Sequence, residues 1–213
     1  MLAYLSVVAV WVSVSFDDAI ARLPALEAAP LSPRQAAVLL QIEDPAFFQH
    51  HGLSLAPGQG LATISSSLAR TLYLSDGNLD GVEGAFQRFY RGVFNCCKKI
   101  DVGRDVMALV VDARLGKERQ LALYAASVYM GTQQGGQIHG LAQASRSYLG
   151  KPLAQASEQE FVGLVAMIKA PNQYHPVQHP QEHALRSARL AAVLAGKCHP
   201  EGWFDTTYRH CTP

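Results

Sequence analysis

The chain has 213 residues, enough to bury one sizeable core, so a single domain with appendages is expected. Eighteen basic against seventeen acidic residues leave a formal net charge of +1, which excludes the basic footprint of a dedicated nucleic-acid binder. Gly and Pro fall mostly between apolar runs, the pattern of helices joined by short loops.

Leu2 to Phe16 carries no charge. A membrane span needs roughly 20 such residues, and a signal peptide needs a basic leading region, which this run lacks. Tyr4 and Trp11 suit an interfacial position. The run fits a clipped membrane anchor, a signal-like segment or a buried strand rich in Val, and the anchor is favoured. Asp17 to Leu31 reads as a connection. At Ser32 a helix is signalled. Ser32 is an N-cap, Pro33 fits the first turn, and Gln35 completes a capping-box pattern. Ala36 to Leu40 and Ile42 follow as an apolar run. Pro45 biases Asp44 away from helical angles, so the helix ends near Glu43. There the helix dipole and an apolar wall both disfavour an ionised carboxylate, so the Glu43 pKa is expected to be raised. Such a group suits general acid or base catalysis. The competing reading leaves Glu43 flanking a turn and Asp44 capping the next helix.

Leu53 to Gly60 reads as a loop, Thr63 to Leu74 as a helix with Ile64, Leu68 and Leu72 on one face, and Ser75 to Asn78 as a turn. Val82 to Phe94 places Val82, Phe86, Phe89, Tyr90, Val93 and Phe94 at helical spacing, with Arg88, Arg91, Lys98 and Lys99 on or beyond it. A core face is favoured over an interfacial helix with aromatics in the lipid boundary. Val102 to Leu115 is a helix with Val102, Val106, Leu109, Val110 and Ala113 as its apolar face. Asp101, Asp105 and Asp112 share another stripe. That stripe is solvated or, if it faces a cleft opposite Glu43, supplies a second carboxylate for chemistry at a sugar. Leu121 to Met130 is apolar, and Thr132 to Gly140 reads as a polar loop. Helices follow at Ala142 to Leu149, Glu158 to Lys169 and Pro180 to Ala195. Cys96 and Cys97 are adjacent and cannot easily bridge each other. Cys198 and Cys211 bracket a tail and fit a loop closed in an oxidising compartment. His199 and His210 beside them make a weak metal case, and structural cysteines are the better reading. Outside the N-terminal run there is no alternating strand pattern, so a mainly α-helical fold is expected.

Ordered motifs now stand out. Glu43-Asp44-x-x-Phe47-x-x-His50-x-Gly52 comes first. Gly60-Leu61-Ala62-Thr63-Ile64-Ser65-Ser66-Ser67-Leu68 follows, then Ala108 to Asp112 with Lys117. Next come Leu123-Tyr124, Val128 to Gly131 and Tyr148 to Pro152, and last Lys169 to Pro176. In this order they resemble the peptidoglycan glycosyltransferases of glycosyltransferase family 51. These are the transglycosylase domains of class A penicillin-binding proteins and their monofunctional relatives. The resemblance runs from about Pro33 to Ala195. It implies a mainly α, lysozyme-like domain over residues 32–196, after an apolar segment and connection at 1–31 and before a tail at 197–213. It also implies polymerisation of lipid II on the outer, periplasmic face of the cytoplasmic membrane. Glu43 matches the catalytic general base and Asp112 stands where the family has its second glutamate. Asp44, Phe47, His50, Thr63, Ser66, Arg70 and Lys117 fall at substrate-binding positions, Arg70 in place of a lysine. Implied partners are lipid II, the growing glycan chain, the membrane and other cell-wall synthesis proteins, with no nucleic acid. No metal ligand set is implied, and the resemblance leaves room for a divalent cation, Mg or Mn.

Departures from the family pattern bear on activity. Asp112 is one methylene shorter than the family's glutamate. Ala62 replaces a serine, Ser66 and Ser67 replace glutamines, Ile100-Asp101 replaces a basic pair, and Arg104 and Ala142 replace glutamates. The segment between the first two motifs is shorter than usual, and the next one is longer. These losses keep open an alternative, a catalytically impaired descendant that binds lipid II or cell-wall partners. A hydrolase using Glu43 and Asp112 is the least favoured reading. No transpeptidase-like domain fits the remaining residues, so activity is expected to be monofunctional.

Overall fold

A computed structural model of the chain describes residues 1–23, 29–57, 62–75, 77–94 and 101–211. Cys96, Cys97, Lys98, Lys99 and Ile100 lie outside the described residues, as do Gly60 and Leu61 of the second motif. The fold is helical, with a single two-stranded hairpin among the described residues. It divides into two compact units. One comprises Met1–Ala25, Phe48–Ser54 and Ala62–Gln120, the other Leu26–Phe47, Leu55–Leu61 and Leu121–Pro213.

In the first unit, α1 (Leu2–Val14) leads into α2 (Phe16–Ala21). The buried-strand reading of the N-terminal run is therefore corrected. Burial of Val8, Trp11 and Val12 outweighs the modest helix penalty of β-branched residues. Trp11 Nε1 donates to the Glu83 carbonyl at 3.1 Å, and its ring lies 5.0 Å from Phe86 and 5.9 Å from Tyr90. Both aromatics sit on α5 (Gly81–Phe94). The α5 stripe is split. Tyr90 is fully buried, whereas Val82, Phe89 and Val93 are 81, 59 and 50% exposed. α4 (Ile64–Ala69) opens on a capping box made by Thr63 and Ser66 and runs into a π-helical turn, Arg70–Leu74. Ile64, Leu68 and Leu72 are buried as their spacing predicts.

α6 (Val102–Arg114) packs against α1 and α4. Its buried face is Gly103, Met107, Ala108 and Val111, and this corrects the apolar face read from the sequence. Val102 and Leu109 are exposed instead. The reason is close approach. A side chain at Gly103 would collide with the hydroxyls of Tyr4 and Tyr90. Gly52, at φ +93°, passes so near α6 that a Cβ would lie 2.7 Å from the Ala108 carbonyl oxygen. The three carboxylates of the Asp stripe also separate. Asp101 caps α6 by accepting the Gly103 and Arg104 N–H groups, Asp105 is half-buried, and the Asp112 side chain is 6% exposed.

α7 (Lys117–Ser127) begins in the first unit and ends in the second. There α3 (Pro33–Glu43) has the bounds expected from sequence, with both bonds of the Ser32–Gln35 capping box formed. Residues 132–140, expected to be a loop, belong largely to a hairpin of β1 (Tyr129–Gln133) and β2 (Gly136–His139). Gln134 and Gly135, at φ 51° and 80°, make its turn, because two residues of positive φ match strand twist. α8 (Leu141–Ala144) and a second π-helical turn, Ser145–Leu149, follow. α9 (Glu158–Ile168) is the core of this unit, buried at every residue from Phe161 to Met167. Both α3 and α10 (Pro180–Leu194) pack on it.

Candidate active site

The helix that Ser32 caps and Pro45 stops delivers Glu43 as its last residue. The Tyr124 hydroxyl, from α7, donates to Glu43 Oε2 at 3.2 Å. Burial raises the Glu43 pKa, and the Asp44 carboxylate adds to this. The charges of Arg186 and Lys169 and the Tyr124 bond act the other way without cancelling it. Tyr124 is held protonated by burial and by Glu43, so it remains a donor. Lys169 is pulled below the usual lysine range by burial and by Arg186, against the attraction of Glu43. Arg186 is 2% exposed. Its Nε donates to the Ala166 carbonyl at 2.8 Å, its Nη1 donates to the Thr206 carbonyl at 3.0 Å, and its guanidinium lies 4.9 Å from the centre of the Tyr174 ring. A carboxyl group so placed binds a proton more readily than a free glutamate, as a general base must.

The Tyr124 bond favours the ionised form. Tyr124→Phe is therefore expected to move the Glu43 titration midpoint, read by 13C NMR of the labelled carboxyl, to higher pH. An unmoved midpoint would contradict this tuning. A raised pKa means that the contribution of Glu43 to stability is full below the ordinary glutamate range and is lost as pH rises through the folded value.

Asp112, near the end of α6, is tuned in the opposite sense. Its Oδ1 accepts from Lys117 Nζ at 2.6 Å, Gln120 Nε2 at 3.0 Å and Ser65 Oγ at 3.2 Å. The Ser65 hydroxyl also lies 2.7 Å from Gln120 Oε1. His51 Nδ1 stands 3.7 Å from Asp112 Oδ2. Burial alone raises the pKa of this carboxyl, but the bonds from Lys117, Gln120 and Ser65 outweigh it and hold the group below the usual aspartate range. Asp112 is thus held as an anion within the first unit, with Lys117 and Gln120 as its partners.

Asp44 and Phe47 are buried in the second unit, behind Glu43 in the chain. In the first unit, His50 Nδ1 accepts the Gly52 N–H at 3.0 Å. Thr63 Oγ1 donates to the Gly52 carbonyl at 2.6 Å, so the first and second motifs are tied together there. Ser66 closes the capping box of α4, and its hydroxyl is occupied by the Thr63 backbone. Arg70 is exposed at the start of the π-helical turn. Lys117 serves Asp112. Sequence reading missed Ser65 and Gln120 beside Asp112, and Arg186 and Tyr208 beside Glu43. One signal was available. Arg186 shares the i, i+4, i+7 face of Leu190 and Val193, which marks it as buried.

Among the described residues, one Cys/His/Asp/Glu group is close enough to share a metal ion: Cys198, His210 and Cys211. Its two sulfurs are joined in a disulfide. No helix of the described residues is long and apolar enough to cross a membrane.

A family model described as transglycosylase matches residues 21–195. Penicillin-binding protein 1B of Vibrio cholerae is 32% identical over 157 residues, covering 67% of this chain and 18% of that protein. Penicillin-binding protein 1B of Escherichia coli is 30% identical over 157 residues, covering 67% of this chain and 16% of that protein. Penicillin-binding protein 1F of Bacillus subtilis is 24% identical over 171 residues, covering 78% and 22%. The chain thus spans less than a quarter of the length of each of these relatives.

Proposed function

We propose that this chain, which belongs to the transglycosylase family, polymerises lipid II into glycan strands. In this reading residues 32–196 form the catalytic domain. Glu43 takes the proton from the 4-hydroxyl of the acceptor sugar. That oxygen attacks the anomeric carbon of the lipid-linked donor, the bond to the lipid diphosphate breaks, and configuration inverts. The observation that supports Glu43 as base is its half-buried side chain at the end of α3, whose carboxyl is raised in pKa by desolvation and accepts from a phenol. Asp112 stays ionised and fixes Lys117, and Arg70 offers a guanidinium to diphosphate oxygens as negative charge gathers on the leaving group. Labelled lipid II run on a gel after incubation tests the reading. A ladder of polymer is expected. Binding with no polymer would favour the impaired descendant, and shortening of preformed glycan would favour a hydrolase.

Work at the cytoplasmic membrane, alongside other cell-wall synthesis proteins, is part of the same proposal. Its support is the outer edge of α5. Val82, Phe89 and Val93 recur there at helical spacing, and Val82 and Phe86 line a groove of about 390 Å³ with Val7 and Val10 of α1. Phe86 packs on Trp11, and Arg91 donates to the Tyr73 and Gly77 carbonyls, so changing either would disturb internal contacts as well as the surface. Phe89, Val93 and the exposed Arg88 are the residues to test. Changing Phe89 and Val93 to Ser and Arg88 to Gln together is expected to weaken binding to anionic liposomes by at least about tenfold. Unaltered binding would count against this surface.

A further inference from the structure

The family match ends at residue 195, and the chain goes on into a closed loop. A disulfide joins Cys198 to Cys211. Within the loop, Asp205 accepts the N–H groups of Tyr208 and Glu201, and the Cys211 N–H donates to the Tyr208 carbonyl. Tyr208 and Cys211 are its buried side chains, whereas Trp203 and Phe204 are 51 and 69% exposed. Few apolar contacts therefore hold the loop down, and its covalent closure supplies the constraint.

The loop reaches the wall around Glu43 in two ways. The Thr206 carbonyl accepts from Arg186 Nη1, and the buried Tyr208 ring lies where the charges of both Glu43 and Arg186 act on it. Arg186 has a second backbone acceptor in Ala166, on α9, and a platform in Tyr174. Both of those lie inside the family match. Thr206 and Tyr208 are contributions from outside it. A guanidinium this buried needs its donors satisfied, so losing one carbonyl draws it towards water.

We propose that the disulfide-closed segment 198–211 is a clamp on Arg186, and that opening the disulfide frees the guanidinium from its seat between the Thr206 and Ala166 carbonyls and the Tyr174 ring. Arg186 is here a positioning residue. Dithiothreitol opens the loop by giving two electrons and two protons. Cys198 and Cys211 become thiols and the reagent becomes its cyclic disulfide. Charged and titratable groups acting on Glu43 are Arg186 of α10, Lys169 after α9, Tyr124 of α7 and the adjacent Asp44, while Tyr208 senses Glu43 from the loop. Those acting on Arg186 are Glu43, Tyr174, Tyr208 and Arg189, and Lys169 in turn feels the charge of Arg186. The consequence for catalysis rests on the reading of Glu43 as the base.

The test is a 13C titration of the Glu43 carboxyl in oxidised and reduced protein, with and without Arg186→Gln. In oxidised protein the substitution is expected to raise the midpoint, because a cation that favours the ionised form is gone. In reduced protein it is expected to raise it less, because the guanidinium has already been released. Equal shifts in the two states, or none in the oxidised state, would overturn the clamp. Wild-type protein gives a second readout should Arg186→Gln not fold. Exchange of the Arg186 Nε–H is expected to quicken about tenfold on reduction, and an unchanged rate would overturn the proposal. Cys198→Ser with Cys211→Ser is expected to match the reduced protein and ignore dithiothreitol. A further response of that variant to dithiothreitol would refute the disulfide as the agent. None of these readouts needs turnover, so a failure to polymerise lipid II refutes the reaction and leaves the clamp standing.

Discussion

Glu43→Gln is expected to lower lipid II turnover by about 10²–10⁴-fold, the range that a positioned general base supplies. The amide keeps the size of the carboxyl and can still accept from Tyr124, so the wall of the site stays in place. What it lacks is the ability to take the proton of the attacking hydroxyl. Lipid II binding should therefore hold within a few-fold while the chemical step fails. Stability should move the other way. Burial penalises the ionised carboxylate in the folded state, so near neutral pH the neutral amide is expected to leave the melting temperature unchanged or higher. A base that costs stability where it stands is held there for function, and calorimetry of the two proteins reads this directly.

Asp112→Ala is expected to destabilise the fold by about 3 kcal/mol, because it removes the charged acceptor that Lys117, Gln120 and Ser65 share in a little-exposed cluster. For a chain of this size that is a fall of roughly 6–12 °C in melting temperature. The Asp112 side chain is 6% exposed and that of Lys117 19%, so water replaces only part of the lost pairing. The pH dependence is fixed by the lowered pKa. The contribution of Asp112 is present above the ordinary aspartate range and is lost as pH falls through its folded value. The stability gap between wild type and variant should therefore narrow in acid. A gap of less than about 0.5 kcal/mol near neutral pH would mean that the cluster is not structural. Asp112→Asn, which keeps the shape and removes the charge, is expected to lower turnover at least as much as Arg70→Ala.

How far sequence reached depended on where the deciding contacts lie. α3 was legible to the residue because its start and stop are local, Ser32 with Gln35 at one end and Pro45 at the other. The direction of the Glu43 shift was legible, since desolvation at a helix end raises a carboxyl whichever residues cause it. Its partners were not. Tyr124, Lys169, Arg186 and Tyr208 come from distant parts of the chain, and no local period points from one to another. The face of α6 was misread because hydropathy ranks Val102 and Leu109 above Gly103 and Ala108. The packing was decided by how closely backbones approach, which favours the small residues. The hairpin at 129–139 escaped notice because its strands are short and polar, although Gln134-Gly135 makes a two-residue turn of positive φ.

The central claim is that Glu43 is the base and that its burial sets the working pH. The most direct measurement compares two curves on one protein: the rate of lipid II polymerisation against pH, and the 13C titration of the Glu43 carboxyl. The account predicts that the acid limb of the rate coincides with the Glu43 midpoint, that both lie above the ordinary glutamate range, and that Tyr124→Phe moves the two upward together. An acid limb that stays in place while the Glu43 midpoint moves, or one that survives in Glu43→Gln, would contradict it.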